Sequence, residues 1–171
     1  MRVLAKDVME FYAEFELNKK VKTPIKLQYK DYSVWEIDEL NQEGSKKHKD
    51  YWINQFKGVG SVLDLSSNKV RPKVKTNSGE NLSTFIDAAT TKNLKQFVST
   101  QGGNLFMGLL ACWNALFHRY TGANDIVLGS PIAGRTHGDL SDQIGFYVNT
   151  IALRNTINAT DSFSEFYNKV K

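Results

Sequence analysis

The sequence has 171 residues, of which 41% are hydrophobic, 12% aromatic and 23% charged, with a net charge of +4. That is enough chain for one ordinary domain with a sizeable core, and the composition excludes collagen-like and disordered classes. The single cysteine, Cys112, excludes an internal disulfide and a cysteine-rich metal site. It lies inside an apolar run, which predicts a small buried hydrophobe. Lys and Glu alternate through most of the chain, and the basic clusters Lys19, Lys20, Lys22, Lys26 and Lys46, Lys47, Lys49 flank acidic segments. The charge therefore describes a mixed, solvated surface and not a nucleic-acid stripe.

The first fifteen residues mix Arg2 and Lys6 with Asp7, Glu10 and Glu14, an amphipathic pattern unlike a secretory leader. Val3, Leu4, Val8, Phe11, Tyr12 and Phe15 fall on one face of a helix over residues 3–17. A basic loop closed by Pro24 follows, then an aromatic-rich helical region from about Tyr29 to Leu40. Ser45 is placed to cap a third helix whose buried side is Tyr51, Trp52 and Phe56, with Gly58 beyond its end. Residues 58–80 read as a polar connector. Asn81 to Ala88 is expected to be a strand, and Thr90 or Thr91 to cap the next helix, with Leu94, Phe97 and Val98 inward. Gly102 and Gly103 end that helix.

Asn104 caps the most apolar helix, Leu105 to Tyr120, which stops at Gly122. Its uncharged run from Leu105 to Phe117 is too short to span a bilayer and reads as a buried helix. Asp125–Gly129 and Phe146–Arg154 read as strands on either side of a polar turn, and a last helix starts near Asp161 or Ser162. Strands separated by helices imply an α/β layer structure. With no leader and no spanning segment, the triplets at Asn81 and Asn158 carry no weight as glycosylation sites, and a cytoplasmic location is expected.

Familiar catalytic devices are missing. Gly58-Val59-Gly60-Ser61 has no third glycine, and Ser130, followed by Pro131, lacks the glycines of a nucleophile elbow. Of three histidines, His48 sits among lysines, His118 ends the apolar helix, and His137 shares a polar turn with Asp139 and Asp142. No two are adjacent, and no metal ligand set is expected.

Two stretches carry a resemblance. Leu27-Gln28-Tyr29-Lys30-Asp31-Tyr32-Ser33-Val34-Trp35 resembles the fourth core motif of condensation domains of nonribosomal peptide synthetases, with Ser33 in place of alanine. Ile144-Gly145-Phe146-Tyr147-Val148-Asn149-Thr150, followed by Ile151-Ala152-Leu153-Arg154, resembles the fifth, with Tyr147 in place of phenylalanine. Tyr51-Trp52 with Leu63, the helix Leu105 to Gly122, and Asp125 to Arg135 are similar in kind and order to the text between those motifs. The Val-Asn-Thr triplet favours condensation over epimerisation domains. The family's His-His-x-x-x-Asp-Gly motif, which supplies its catalytic histidine, does not occur in this sequence. The opening residues resemble the text just after it.

The resemblance implies a chloramphenicol-acetyltransferase-like, two-lobed α/β sandwich. Residues 1–20 would be the last helix of the N-terminal lobe, 21–80 crossing helices and linker, and 81–171 the core of the C-terminal lobe. It implies amide formation between donor acyl and acceptor aminoacyl groups, held as thioesters on the phosphopantetheine arms of peptidyl carrier proteins. No cofactor bound directly and no catalytic residue within this segment is implied. It marks Asn149, Gly145 and Ser130 as channel candidates, and Tyr29, Asp31, Trp35, Arg135 and Arg154 as structural positions. The expectation is a middle fragment, inactive and prone to self-association alone. A non-catalytic carrier-binding remnant and a related CoA-dependent acyltransferase are the other readings.

Overall fold

The computed structural model describes residues 2–18, 20, 25–58, 60, 62–65, 73, 74, 76, 77 and 79–171. Their elements run α1 (Arg2–Leu17), α2 (Tyr29–Asn41), a 3-10 turn (Glu43–Ser45), α3 (Lys46–Phe56), α4 (Ala88–Thr100) and α5 (Leu105–Thr121). These are followed by β1 (Asp125–Ile132), a second 3-10 turn (Gly138–Leu140), β2 (Asn149–Thr156) and α6 (Phe163–Val170). The chain forms two compact units, one of Met1–Lys57 with Gly129–Ile151, the other of Gly58–Leu128 with Ala152–Lys171. Both strands therefore run from one unit into the other.

The strands pair with each other. The amide of Ile157 donates to the carbonyl of Asn124 at 2.8 Å, and Arg154 meets Asp125. Gly129 faces Thr150, and Gly134 faces the Tyr147 carbonyl. Residue numbers rise along one strand as they fall along the other, so the pair is antiparallel.

In the second unit, α5 packs against α4 and α6. The core is Val98, Ala111, Ile126, Ile157, Phe166 and Tyr167, with Leu94, Phe97, Met107 and Phe117 packed around it. Each helix has a local reason to start. The Asp87 carboxylate accepts from the Thr90 amide at 2.8 Å, and the Asn104 side chain accepts from the Met107 amide at 3.0 Å. Ser162 and Glu165 form a reciprocal capping box. Gly122, at φ 73°, ends α5 with its amide on the His118 carbonyl. Phe166 and Tyr167 are almost fully buried, each removing an aromatic ring from water for roughly 2–3 kcal/mol. Tyr167 meets Phe97 edge-on at 5.3 Å.

Several expectations from the sequence are corrected. No strand forms over 81–88; Leu82 and Phe85 are almost fully exposed, and the segment ends in the cap supplied by Asp87, not by Thr90 or Thr91. The β-favouring residues there pair with neither β1 nor β2, and pairing is what strand propensity expresses. Cys112 is exposed. Helix α5 is buried along one face only, at Gly108, Ala111 and Asn114, while Phe106, Trp113, Leu116 and Tyr120 on the other sides are more than half exposed. The second strand starts at Asn149, later than Phe146; the Phe146 carbonyl and the Tyr147 ring are engaged by Tyr29 of α2 instead.

In the first unit, α1 and α3 carry no buried residue. Tyr51, Trp52 and Phe56, expected to be buried, are exposed; Trp52 stacks on Phe56 and meets Tyr51 edge-on. Ser45 does not cap α3 with its side chain; its hydroxyl donates back to the Leu40 and Gln42 carbonyls and holds the 3-10 turn. Periodicity identifies an apolar face but not what will cover it.

Gly103 sits against Tyr167, and a Cβ there would lie 1.8 Å from the Tyr167 hydroxyl oxygen. Gly103→Ala is therefore expected to lower unfolding free energy by about 2 kcal/mol. Most of that loss should disappear in a Tyr167→Phe background, measured as coupling in a double-mutant urea titration. Equal losses in both backgrounds would count against the contact.

Candidate functional site

The two aromatic blocks, more than a hundred residues apart in sequence, meet in the first unit. Helix α2 begins where the Gln28 amide donates to the Asp31 carboxylate at 2.8 Å. At helical spacing, Tyr32, Trp35, Glu36, Glu39 and Leu40 then share one face. The hydroxyl of Tyr29 donates to the Phe146 carbonyl at 3.0 Å. Its ring meets that of Tyr147 edge-on at 5.2 Å, and Tyr32 lies 4.8 Å from Tyr147. Tyr29, Tyr32 and Trp35 thus form a half-exposed ring cluster, not a buried core.

Tyr147 is the buried centre, at 5% exposure. Its hydroxyl donates to the Gln143 side-chain oxygen, itself buried, and the Arg135 guanidinium lies over its ring at 4.1 Å. Arg135 also donates to the Leu140 carbonyl, tying the turn after β1 to the second 3-10 turn. Two glycines make room. A Cβ at Gly145 would sit 2.4 Å from the Tyr29 ring, and one at Gly134 would sit 1.9 Å from the Tyr147 carbonyl oxygen. Gly134 in addition holds φ at 66°, a conformation disfavoured for other residues.

Electrostatics follow from these contacts. The Tyr32 hydroxyl donates to Glu36 at 2.7 Å, and that hydrogen bond to a carboxylate, aided by burial, pushes its pKa up to about 12. Burial pushes the Tyr147 phenol up, with the Arg135 charge opposing.

Among the described residues, three of the clefts beside the cluster bear on the candidate positions. One of about 400 Å³ is lined by Leu27, Asp31, Tyr32, Trp35, Thr136, His137, Asp139 and Leu140. A second, about 490 Å³, includes Arg2, Arg135, Gln143 and Gly145. The largest, about 600 Å³, lies between the α2 face and Ile132, Gly134, Thr136, Tyr147 and Asn149. Asn149 is exposed there, its side-chain oxygen accepting from the Thr150 amide at 2.7 Å. Of the three channel candidates, Asn149 and Gly145 therefore line separate clefts, and Ser130, half-buried on β1, lines none of these three.

The histidines are dispersed. His48 borders the largest cleft, and His137 faces Asp139 at 3.4 Å beside the smallest. His118, in the other unit, lies 3.0 Å from the Ala123 carbonyl. Among the described residues, no three His, Cys, Asp or Glu side chains are grouped to hold a metal. None of their helices is long and apolar enough to cross a membrane. Gln143, Gly134 and Glu36 have central positions that the sequence reading passed over. The spacing of Gln143 four residues before Tyr147 was the available signal.

Arg154 belongs to the second unit. Its guanidinium grips Asp125 through two hydrogen bonds of 2.8 and 2.7 Å and also reaches the Gly58 carbonyl at 3.5 Å. This fork joins the two strands side by side.

The sequence profile of the condensation domain matches residues 1–171. The chain belongs to the condensation-domain family. It is 37% identical to bacitracin synthase 3 of Bacillus licheniformis over all of its length, covering 3% of that protein. To bacitracin synthase 2 of the same organism it is 42% identical over 87% of its length, covering 6% of that protein. Gramicidin S synthase 2 of Aneurinibacillus migulanus is 36% identical over the whole chain, which spans 4% of it. Among solved structures, the X-domain in complex with OxyB from teicoplanin biosynthesis aligns with a TM-score of 0.91 at 22% identity. That alignment covers 99% of this chain and 39% of the other. The first condensation domain of the calcium-dependent antibiotic synthetase, with a substrate analogue, aligns at 0.66 and 19% identity, covering 94% and 35%. The fold is part of the chloramphenicol-acetyltransferase-like α/β fold of condensation domains, and this chain corresponds to just over a third of those solved chains.

The Asp125–Arg154 pair predicts a pH dependence. The Arg154 hydrogen bonds hold the Asp125 carboxyl below the usual carboxylate range. A depressed folded-state pKa gives stability that is present above the unfolded value of about 3.9 and lost as pH falls through the folded one. Asp125→Asn should therefore be less stable than the parent at neutral pH by about 2 kcal/mol, with the gap narrowing below about pH 4. Denaturant titrations across pH check this; a pH-independent gap would contradict it.

Proposed function

We propose that this chain contributes the aromatic wall of a channel in which an amide bond forms between two thioester-bound substrates. The observation that carries the reading is the meeting of the two family motifs around Tyr147, which leaves Asn149 exposed in the largest cleft beside Tyr32 and Trp35. The substrates would arrive on the phosphopantetheine arms of peptidyl carrier proteins, as donor acyl and acceptor aminoacyl thioesters. The neighbouring synthetase domains are the other partners, in the cytoplasm.

The acceptor's neutral amine attacks the donor thioester carbonyl, and a tetrahedral oxyanion forms. It collapses with loss of the thiolate, the amine proton passes to the departing sulfur, and an amide and a free carrier thiol result. The barrier falls if the two chains are aligned and the oxyanion meets a fixed donor. The Asn149 amide can supply such a donor, because its oxygen is already engaged by the Thr150 amide and its NH2 group is thereby oriented. Tyr147, Arg135 and Gly145 hold the turn that aims it. The residue that moves the proton is proposed to be the family's histidine, from the motif this sequence lacks; His48, His118 and His137 do not match it. Residues 1–20 would then close the N-terminal lobe, 21–80 cross over, and 81–171 build the C-terminal lobe.

In a complete domain containing this segment, Asn149→Ala is expected to slow amide formation roughly a hundredfold. Carrier binding should change little, as followed by product mass spectrometry and titration of loaded carrier. Unchanged turnover would remove Asn149 from the chemistry, and carrier binding without any amide product would favour a docking role. The 171-residue chain by itself exposes Phe106, Trp113, Leu116 and Tyr120, and is expected to self-associate. A single monomeric boundary in sedimentation velocity would contradict that.

A further inference from the structure

The largest cleft has a chemistry that the reaction itself does not require. Its α2 wall carries Trp35 and Tyr32 along the floor and the carboxylates of Glu36 and Glu39 one turn apart. Among the described residues none that lines it is lysine or arginine, and His48 is the basic side chain at its border, although the chain as a whole carries a charge of +4. Glu36 accepts the Tyr32 hydroxyl at 2.7 Å and Glu39 accepts the Gln42 side chain at 3.0 Å. Both bonds come from neutral groups, and each carboxylate keeps acceptor capacity. Among the described residues neither glutamate has an ion-pair partner. The Tyr32 hydrogen bond also restrains Glu36, and Trp35 lines the same cleft, so aromatic and carboxylate groups are presented together.

An occupant suited to this wall has an apolar stem to lie along the rings and a cationic tip for the carboxylates and the indole face. A volume of about 600 Å³ is within the range of ligand clefts and exceeds what one such side chain needs.

We propose that this cleft selects, on one of the two thioester-bound substrates, a lysine- or ornithine-like residue with a primary ammonium side chain. The inference rests on the condensation reading and deepens it by naming a substrate class. Aromatic floor and acidic wall act together: the rings alone would accept any apolar side chain, and the carboxylates alone would hold only a screened counter-ion. Asn149, in the same cleft, would bring the selected residue close to the carbonyl that reacts.

The test uses a complete condensation domain containing this segment, with carrier proteins loaded with ornithyl, norleucyl or glutamyl thioesters. Pairs compete directly, first in the acceptor position and then in the donor position, and amide products are counted by mass spectrometry. Ornithyl product is expected to exceed norleucyl product about tenfold in one of the two positions, which also tells donor from acceptor. The ratio should shrink toward one in Glu36→Gln with Glu39→Gln, and in about 1 M salt. Glu36→Lys with Glu39→Lys should turn the preference toward glutamyl substrates. A readout without turnover is the perturbation of the Trp35 indole NMR signal by N-acetyl-ornithine amide but not by N-acetyl-norleucine amide.

Amide formation with ornithyl and norleucyl products in equal amounts at both positions would overturn the selectivity while leaving the condensation reading intact. So would a preference that both double variants retain. Absence of amide from every thioester would overturn the condensation reading and the selectivity with it.

Discussion

The buried ring of Tyr147 is the contact on which the site depends. One side carries the Arg135 guanidinium, and Tyr29 and Tyr32 approach from α2. Its hydroxyl is taken by Gln143. These contacts are mutually dependent. Without a side chain at Gly145 the Tyr29 ring can reach its place, and without one at Gly134 the Tyr147 carbonyl can approach β1. A turn that would otherwise be free becomes a fixed support, and the strand that leaves it begins at Asn149.

The proposed channel role rests on that support, because it asks positioning of this segment and not a base. Joining an amine to a thioester needs alignment and a steady hydrogen-bond donor as much as it needs a base. Elements held by interlocked rings are better at such positioning than loops held by solvent-exposed polar contacts. The Asp125–Arg154 fork does comparable work in the other unit, where it ties β1 to β2 through two charge-assisted hydrogen bonds. The aromatic cluster is exposed enough to line clefts, yet ordered by a buried centre. The family relation gives this arrangement its context, since both motif blocks belong to the condensation domain whose profile covers the chain.

Much of the local structure was legible. Asn104, Ser162 and Gly122 start or stop helices where capping chemistry says they should, and the helices around Leu105–Thr121 and Tyr29–Asn41 lie close to their expected bounds. The misreadings share a cause. Residues 81–88 have strand-like composition but pair with neither described strand. Cys112, Trp113 and Tyr51 sit in helices whose apolar content predicts burial, yet all three are exposed. Hydrophobicity records what would gain from burial, and burial itself depends on which surfaces meet.

The order of residues was sufficient to settle the α/β class, the cap and stop of most helices, the two motif blocks and the lack of an adjacent histidine pair. These follow from short-range rules, namely hydrogen-bond capping, glycine's conformational range and the periodicity of side chains. Only the three-dimensional arrangement decided that Tyr147 lies beneath Arg135, that Gly145 exists to admit a tyrosine ring, and that Asn149 shares a cleft with Glu36 and Glu39. The last two of those relations join residues more than a hundred positions apart through packing and through-space charge, and no spacing along the chain encodes them.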